Sequence, residues 1–210
     1  MSFHYEIRLS GAGGQGLVLA GHILAEAAAL YDGNNATQSQ SYGPEARGGA
    51  SRSEVIISDG DIDYPKATNV DLMLALTQQA CNRYAGDLRR GGILLVDANE
   101  VTNLPHGDFK IYSTPITEIA EREVGRKVVT NMVALGLIAE LAQVVTTAAI
   151  EQAIRKRVPK GTEEINLKAF HKGREAAMKL LHNKRGETFV ASNEEAETVS
   201  ELELAGSLES

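Results

Sequence analysis

The sequence predicts a three-layer α/β/α fold with a largely parallel sheet, and three observations lead there. Short apolar runs alternate with longer Ala- and Leu-rich stretches along the chain, the order of strands feeding helices. Residues 93–96, Ile-Leu-Leu-Val, form an apolar run that closes in Asp97. That length and β-branched content fit a parallel strand buried on both faces. Finally, Gly11-Ala12-Gly13-Gly14-Gln15-Gly16 stands directly after an alternating run and before a helix-prone one, which places a glycine turn after strand one.

Taken in order, residues 5–9 read as the first strand and residues 17–30, rich in Ala and Leu, as the helix behind the turn. Residues 34–53 are polar with few strand formers and read as irregular. Residues 54–58 and 70–76 read as strands, 78–89 as a helix ended by Gly91-Gly92, and 109–112 as another strand. Beyond Pro115 the chain turns helical. Residues 116–124 form a short helix, and 131–142 a long apolar one with Thr130 or Asn131 as its cap. Thr146-Thr147 caps a helix over 148–157, which Pro159-Lys160-Gly161 stops, and 163–182 is the last helix. Residues 1–182 are expected to form one domain. Residues 183–210 are expected to be an acidic, mobile tail, since 193–210 is rich in Glu and Ser and poor in apolar side chains.

Composition excludes several classes of function. A net charge of -7 argues against non-specific nucleic-acid binding, which needs a basic surface. Cys81 is the single cysteine, so no internal disulfide forms. An iron–sulfur cluster, which takes about four cysteine ligands, must sit on another polypeptide. His4, His22, His106, His171 and His182 are scattered without metal-ligand spacing. No apolar run reaches the roughly 20 residues that span a bilayer. The N-terminus lacks the basic-then-apolar order of a signal peptide. The expected location is the cytoplasm, with no membrane and no nucleic acid as partners.

Two segments carry the chemistry. Gly11, Gly13, Gly14, Gln15 and Gly16 form a turn whose backbone admits close approach by a phosphate, at a helix N-terminus whose free N–H groups favour anions. A dinucleotide fingerprint also needs a carboxylate roughly 20 residues on, at the end of a second strand. Asp32 comes before any second strand, and residues 37–41 hold no acid. The nicotinamide or flavin reading thus loses its second half. A tight turn without a ligand remains an alternative, as does a stand-alone Rossmann-like nucleotide-binding reductase. The second segment runs Ser39-Gln40-Ser41-Tyr42-Gly43-Pro44-Glu45-Ala46-Arg47-Gly48-Gly49-Ala50-Ser51-Arg52-Ser53. Pro and Gly predict a turn. Arg47 and Arg52 offer guanidinium groups suited to carboxylate or phosphate, with Ser51 adding a hydroxyl. A solvated loop with a Glu45–Arg47 or Arg52–Glu54 pair is the bland alternative.

Taken together these segments resemble the gamma subunit of 2-oxoacid:ferredoxin oxidoreductases. The resemblance also rests on Ile62-Asp63-Tyr64-Pro65, Gly91-Gly92-Ile93-Leu94-Leu95-Val96-Asp97, Asn131-Met132-Val133-Ala134-Leu135-Gly136, Pro159-Lys160-Gly161 and Asn166-Leu167-Lys168-Ala169-Phe170. It covers roughly residues 5–180, and the second segment looks closer to 2-oxoglutarate-type than to pyruvate-type enzymes. The resemblance implies a subunit, inactive alone, of a complex that turns a 2-oxoacid and coenzyme A into an acyl-CoA and carbon dioxide. Thiamine diphosphate, Mg and iron–sulfur clusters are then expected on alpha and beta partner subunits, with ferredoxin as electron acceptor. Neither Asp59-Gly60-Asp61 nor Asp32-Gly33-Asn34-Asn35 has the form of a thiamine diphosphate motif. This chain is expected to bind no cofactor alone. Its contact with coenzyme A would come from Gly11, Gly13, Gly14, Gln15, Gly16, Tyr42, Glu45, Arg47, Gly48, Gly49, Ser51 and Arg52. No residue is expected to be catalytic or to bind metal. The isolated chain is expected to self-associate through its docking face, and a third alternative makes the domain only an assembly platform.

Overall fold

The computed structural model describes residues 3–41 and 50–183. The strands are β1 (His4–Ala12), β2 (Asn35–Ser41), β3 (Ala50–Ser58), β4 (Val70–Ala75), β5 (Leu88–Asp97) and β6 (Phe109–Thr114). Among the described residues they form one sheet in the order β2-β3-β1-β4-β5-β6. β1, β4, β5 and β6 run parallel. β3 is antiparallel to both β1 and β2. The helices are α1 (Leu17–Glu26), α2 (Gln78–Tyr84), α3 (Ile116–Ile119), α4 (Thr130–Ala142), α5 (Thr147–Arg157) and α6 (Glu163–Asn183).

Strand alternation divides the apolar residues between two layers. Ile7, Leu9, Val55, Ile57, Leu72 and Leu74 face one way and bury against α1, α4, α5 and α6. Met73, Ala75, Leu94 and Val96 face the other way, where Ala80, Cys81 and Tyr84 of α2 cover them. The three-layer expectation is met, with most of the helical mass on one side. α4 is buried continuously from Thr130 to Ile138 and is packed by α6. The smaller layer is unusually polar. The Glu6 carboxylate accepts hydrogen bonds from the backbone N–H of Thr68 (2.6 Å) and Asn69 (2.7 Å), which ties the chain ahead of β4 onto β1.

Four local expectations need correction. Residues 34–53 are not irregular throughout. β2 and the start of β3 lie there, because a polar strand is tolerated at a sheet edge where its side chains reach water, as those of Gln40 and Ser41 do. The helix expected to reach residue 89 stops at Tyr84. One 3₁₀ turn, Ala85–Asp87, leads to Leu88, which is already extended (φ -68°, ψ 134°). Gly91 and Gly92 therefore end no helix. They sit inside β5 where its register against β4 shifts. Neither Thr130 nor Asn131 caps α4: its N-cap position is Val129, without a side-chain hydrogen bond.

Thr146 does cap α5, its Oγ1 accepting from Ala149 N–H at 3.3 Å. Asp32 then explains itself, taking the Thr146 backbone N–H and hydroxyl at 2.6 Å each. Glu26, on the last turn of α1, is buried against Lys156 (2.8 Å) and Arg157 of α5. Burial pushes its carboxyl pKa up, but the Lys156 and Arg157 hydrogen bonds outweigh that and hold it below the usual carboxylate range. The last helix ends at Asn183, and the rest of the expected acidic tail lies outside the described residues. Among the described residues no helix is long and apolar enough to cross a membrane.

Candidate functional site

The parallel strands end together at one edge of the sheet, where open α/β sheets place their ligands. Ala12, Ala75, Asp97 and Thr114 mark that edge. The glycine turn leaves β1 there and enters α1. Gly16 is the N-cap of α1 in the left-handed region (φ 71°, ψ 20°), with no side chain capping the first-turn N–H groups. A side chain at Gly16 would also collide with Asn131. Asn131, buried on the first turn of α4, donates through Nδ2 to the Gly16 carbonyl at 3.1 Å. The start of α4 is thereby fixed against the start of α1, and two helix N-termini meet at the turn.

Gln15 folds back, its Oε1 accepting from the Ala12 N–H at 2.7 Å and filling the space beside Gly11. Gln15 thus holds the turn in shape. Gly13 is different. Its φ is not positive, and among the described residues nothing lies within 4 Å of where a Cβ would be. The fold places no demand for glycine there, so any such demand comes from something approaching from outside.

The second segment is only partly described. Tyr42, Glu45, Arg47, Gly48 and Gly49 lie outside the described residues. Ser51 and Arg52 belong to β3 rather than to a loop. In the antiparallel register Gly11 faces Ser51 and Ser10 faces Arg52. The Ser51 hydroxyl donates to the Gly11 carbonyl at 3.4 Å. Residues 40 apart in sequence, expected to share a site, are therefore adjacent across one strand pair.

Arg52 reaches Glu54 at 3.5 Å as an ion pair, yet its buried Nε has no hydrogen-bond partner among the described residues. Glu54 is occupied by Arg8, at 2.8 Å, with both side chains almost fully buried. Arg8 also pairs with Asp87 and donates to the Ala67 carbonyl. The guanidinium of Arg52 lies 5.3 Å from the centre of the Tyr84 ring, that of Arg83 5.4 Å and that of Arg8 5.6 Å. Arg83 and Tyr84 escape sequence reasoning, because nothing in their own stretch signals that β3 crosses above them.

Asp97, at the same edge, is fully buried and accepts from the backbone N–H of Asn99 (3.1 Å) and Thr117 (2.8 Å). It shapes the turn after β5 and holds the start of α3. The dinucleotide reading weakens further in three dimensions. β3 lies between β1 and β2, and Asp32 is committed to α5. Among the described residues no group of three or more His, Cys, Asp or Glu is placed to hold a metal ion. Asp59 accepts from the Phe3 N–H at 2.7 Å, a structural use of that carboxylate.

Relatives share this arrangement over most of its length. The 2-oxoglutarate synthase subunit KorC of Methanocaldococcus jannaschii is 52% identical over 177 residues, spanning 83% of this chain and 95% of that one. The crystal structure of the keto/oxoacid ferredoxin oxidoreductase gamma subunit from Geobacter sulfurreducens PCA superposes with a TM-score of 0.79. It is 54% identical, over 85% of this chain and 98% of that one. The 2-oxoglutarate:ferredoxin oxidoreductase of Magnetococcus marinus, solved with 2-oxoglutarate, coenzyme A and succinyl-CoA bound, shares the fold. Its TM-score is 0.75 at 22% identity, over 84% of this chain and 31% of that one. The family described as pyruvate ferredoxin/flavodoxin oxidoreductase matches residues 6–176, from the first strand into the last helix, and to that family this chain belongs.

Proposed function

We propose that this chain is the gamma-type subunit of a 2-oxoacid:ferredoxin oxidoreductase acting on 2-oxoglutarate, inactive alone, and that its glycine-turn edge receives the phosphates of coenzyme A. The complex would decarboxylate the oxoacid oxidatively and form the acyl-CoA, with thiamine diphosphate, Mg and iron–sulfur clusters on alpha and beta subunits and ferredoxin taking the electrons. The likeness to 2-oxoglutarate synthase subunits supports the substrate. The single buried Cys81 fits a reducing cytoplasm.

The observation that carries the coenzyme A reading is the β1–β3 register, which sets Ser51 and Arg52 beside the glycine turn. Uncapped N–H groups at the start of α1 offer a positive end to a diphosphate, with Ser51 beside the turn at Gly11 and Arg52 at the same end of β3 on the opposite face, over Tyr84. Gly13 leaves room for a phosphate oxygen to approach the backbone. Gly11, Gly14, Gln15 and Gly16 of the turn are further proposed contacts, and the sequence alone adds Tyr42, Glu45, Arg47, Gly48 and Gly49, which lie outside the described residues.

Gly13→Ala and Arg52→Ala, each in the assembled complex, test this. Gly13→Ala leaves the fold as stable as before or up to about 1 kcal/mol more stable, because a Cβ there meets nothing. Each variant should raise the Michaelis constant for coenzyme A roughly tenfold, equivalent to about 1.4 kcal/mol. Unchanged constants with intact assembly would contradict the coenzyme A reading. Loss of assembly at unchanged constants would instead make this edge a subunit contact.

A further inference from the structure

We infer that residues 201–204, Glu-Leu-Glu-Leu, dock in a groove along α6 of their own chain. Two adjoining hollows form that groove. One, of about 240 Å³, has a floor of Pro115, Ile119, Ala176 and Leu180. The other, of about 340 Å³, runs past Lys168 toward Arg155 of α5. Lys172 and Glu175 line both, so the two hollows meet on α6. From Glu164 to Leu180 the helix spans about 24 Å, the length of roughly seven extended residues. Several charges along it are already paired. Lys172 is tied to Glu175 at 2.7 Å and to Glu123 at 3.5 Å, and Arg155 to Glu164 at 3.1 Å. Lys168 and Lys179 are exposed and have no ion-pair partner among the described residues.

Charge and chain length name the occupant. Residues 151–183, which hold most of α5 and all of α6, carry eight Lys and Arg against four Glu. Residues 186–210 carry seven Glu and neither Lys nor Arg. Within that stretch residues 201–204 alternate Glu and Leu. In extended form the leucines share one face and the glutamates the other. Leu202 and Leu204 then meet the floor at Ile119, Ala176 and Leu180, while the long stems of Lys168 and Lys179 bring their ammonium groups to Glu201 and Glu203. Exposed ion pairs contribute little by themselves, so leucine burial holds the segment and the charges choose its groove. Glu201 lies 18 residues after Asn183, up to roughly 60 Å of chain, so every part of the groove is within its reach. The family match ends at residue 176, within α6, which makes this contact an addition to the shared domain. Docked there, the segment shields the cationic side of α6 from other acidic surfaces.

Zero-length cross-linking of the full chain by a carbodiimide tests this, because the reagent joins a carboxylate to an amine only where the two touch, as an amide with loss of water. At a concentration where the chain is monomeric, mass spectrometry should find Glu201 or Glu203 joined to Lys168, Lys172 or Lys179. The exposed Lys66, Lys110 and Lys127 should stay unjoined. The yield should fall at least about fivefold in a chain carrying Leu202→Ser with Leu204→Ser, and also in about 0.5 M salt, where charges are screened beyond roughly 4 Å. Lys168→Glu with Lys179→Glu should remove the links to Lys172 as well. Links spread evenly over all the lysines, or none at all, would overturn the proposal. So would a yield unchanged by the two serines, or links confined to covalent dimers, which would make a second copy of the chain the occupant.

Discussion

Replacing Gly173 by alanine is expected to destabilise the chain by about 3 kcal/mol or more, the range of severe core overpacking. α4 and α6 cross with Gly136 and Gly173 facing each other. A Cβ on Gly173 would run into the carbonyl of Val133 and press on the Cα of Gly136. One on Gly136 would meet the backbone of Phe170 and Arg174. These obstacles are backbone atoms, so no rotamer change relieves them, and the helices must separate. Separation would open the layer that buries Val133, Leu137 and Phe170. Thermal unfolding measures the effect. For a chain of this size 3 kcal/mol lowers the melting temperature by roughly 6–12 °C. Gly86→Ala is the control, since nothing lies within 4 Å of a Cβ there among the described residues, and it should change little. A Gly173→Ala protein melting with the wild type would mean that the two helices do not cross this closely.

Glu54→Ala should cost about 3–5 kcal/mol, the loss usual when one partner of a buried ion pair is removed. Glu54 faces Arg8 across β3 and β1, and the two side chains are 4% and 2% exposed. Without Glu54, Arg8 keeps Asp87, which is half exposed and screened by water, and the Ala67 carbonyl. Arg52 loses its one carboxylate neighbour among the described residues at the same time. Exchanging the pair together for apolar residues, Arg8→Met with Glu54→Leu, should recover much of the loss, because it leaves no buried charge unpaired. Asp87→Ala should cost about 1 kcal/mol or less, as its carboxylate is half in water. Chemical denaturation of the three variants gives the comparison. Equal costs for Glu54→Ala and Asp87→Ala would show the Arg8 site to be wet.

The elements that apolar pattern alone specifies were legible. The runs at β4 and β5 and the Ala-rich α1 fall where their residues predict, because burial on both faces leaves a continuous signature. β2 was not, because Thr37 is its single β-branched residue and an edge strand need not be apolar. The end of α2 was missed for a related reason. Arg89 and Arg90 look helical, yet Arg89 pairs with Asp71 and Arg90 with Asp108, partners that exist only once β4, β5 and β6 have assembled. Within the site, the glycine turn was readable from spacing. That Ser51 and Arg52 stand opposite Gly11 and Ser10 was not, since strand register is a tertiary fact. From its own stretch Asn131 reads as a helix cap, because its link to the Gly16 carbonyl joins residues 115 apart.

The central claim is that this chain contributes a coenzyme A-binding surface to a 2-oxoglutarate-oxidising complex and has no redox activity of its own. The direct measurement is coenzyme A-dependent reduction of a viologen dye by 2-oxoglutarate, with this chain alone, with the alpha and beta subunits alone, and with all of them combined. The account predicts activity in the combined sample only, with 2-oxoglutarate preferred over pyruvate. Full activity from the alpha and beta subunits without this chain would contradict it, as would dinucleotide-dependent reductase activity from this chain by itself.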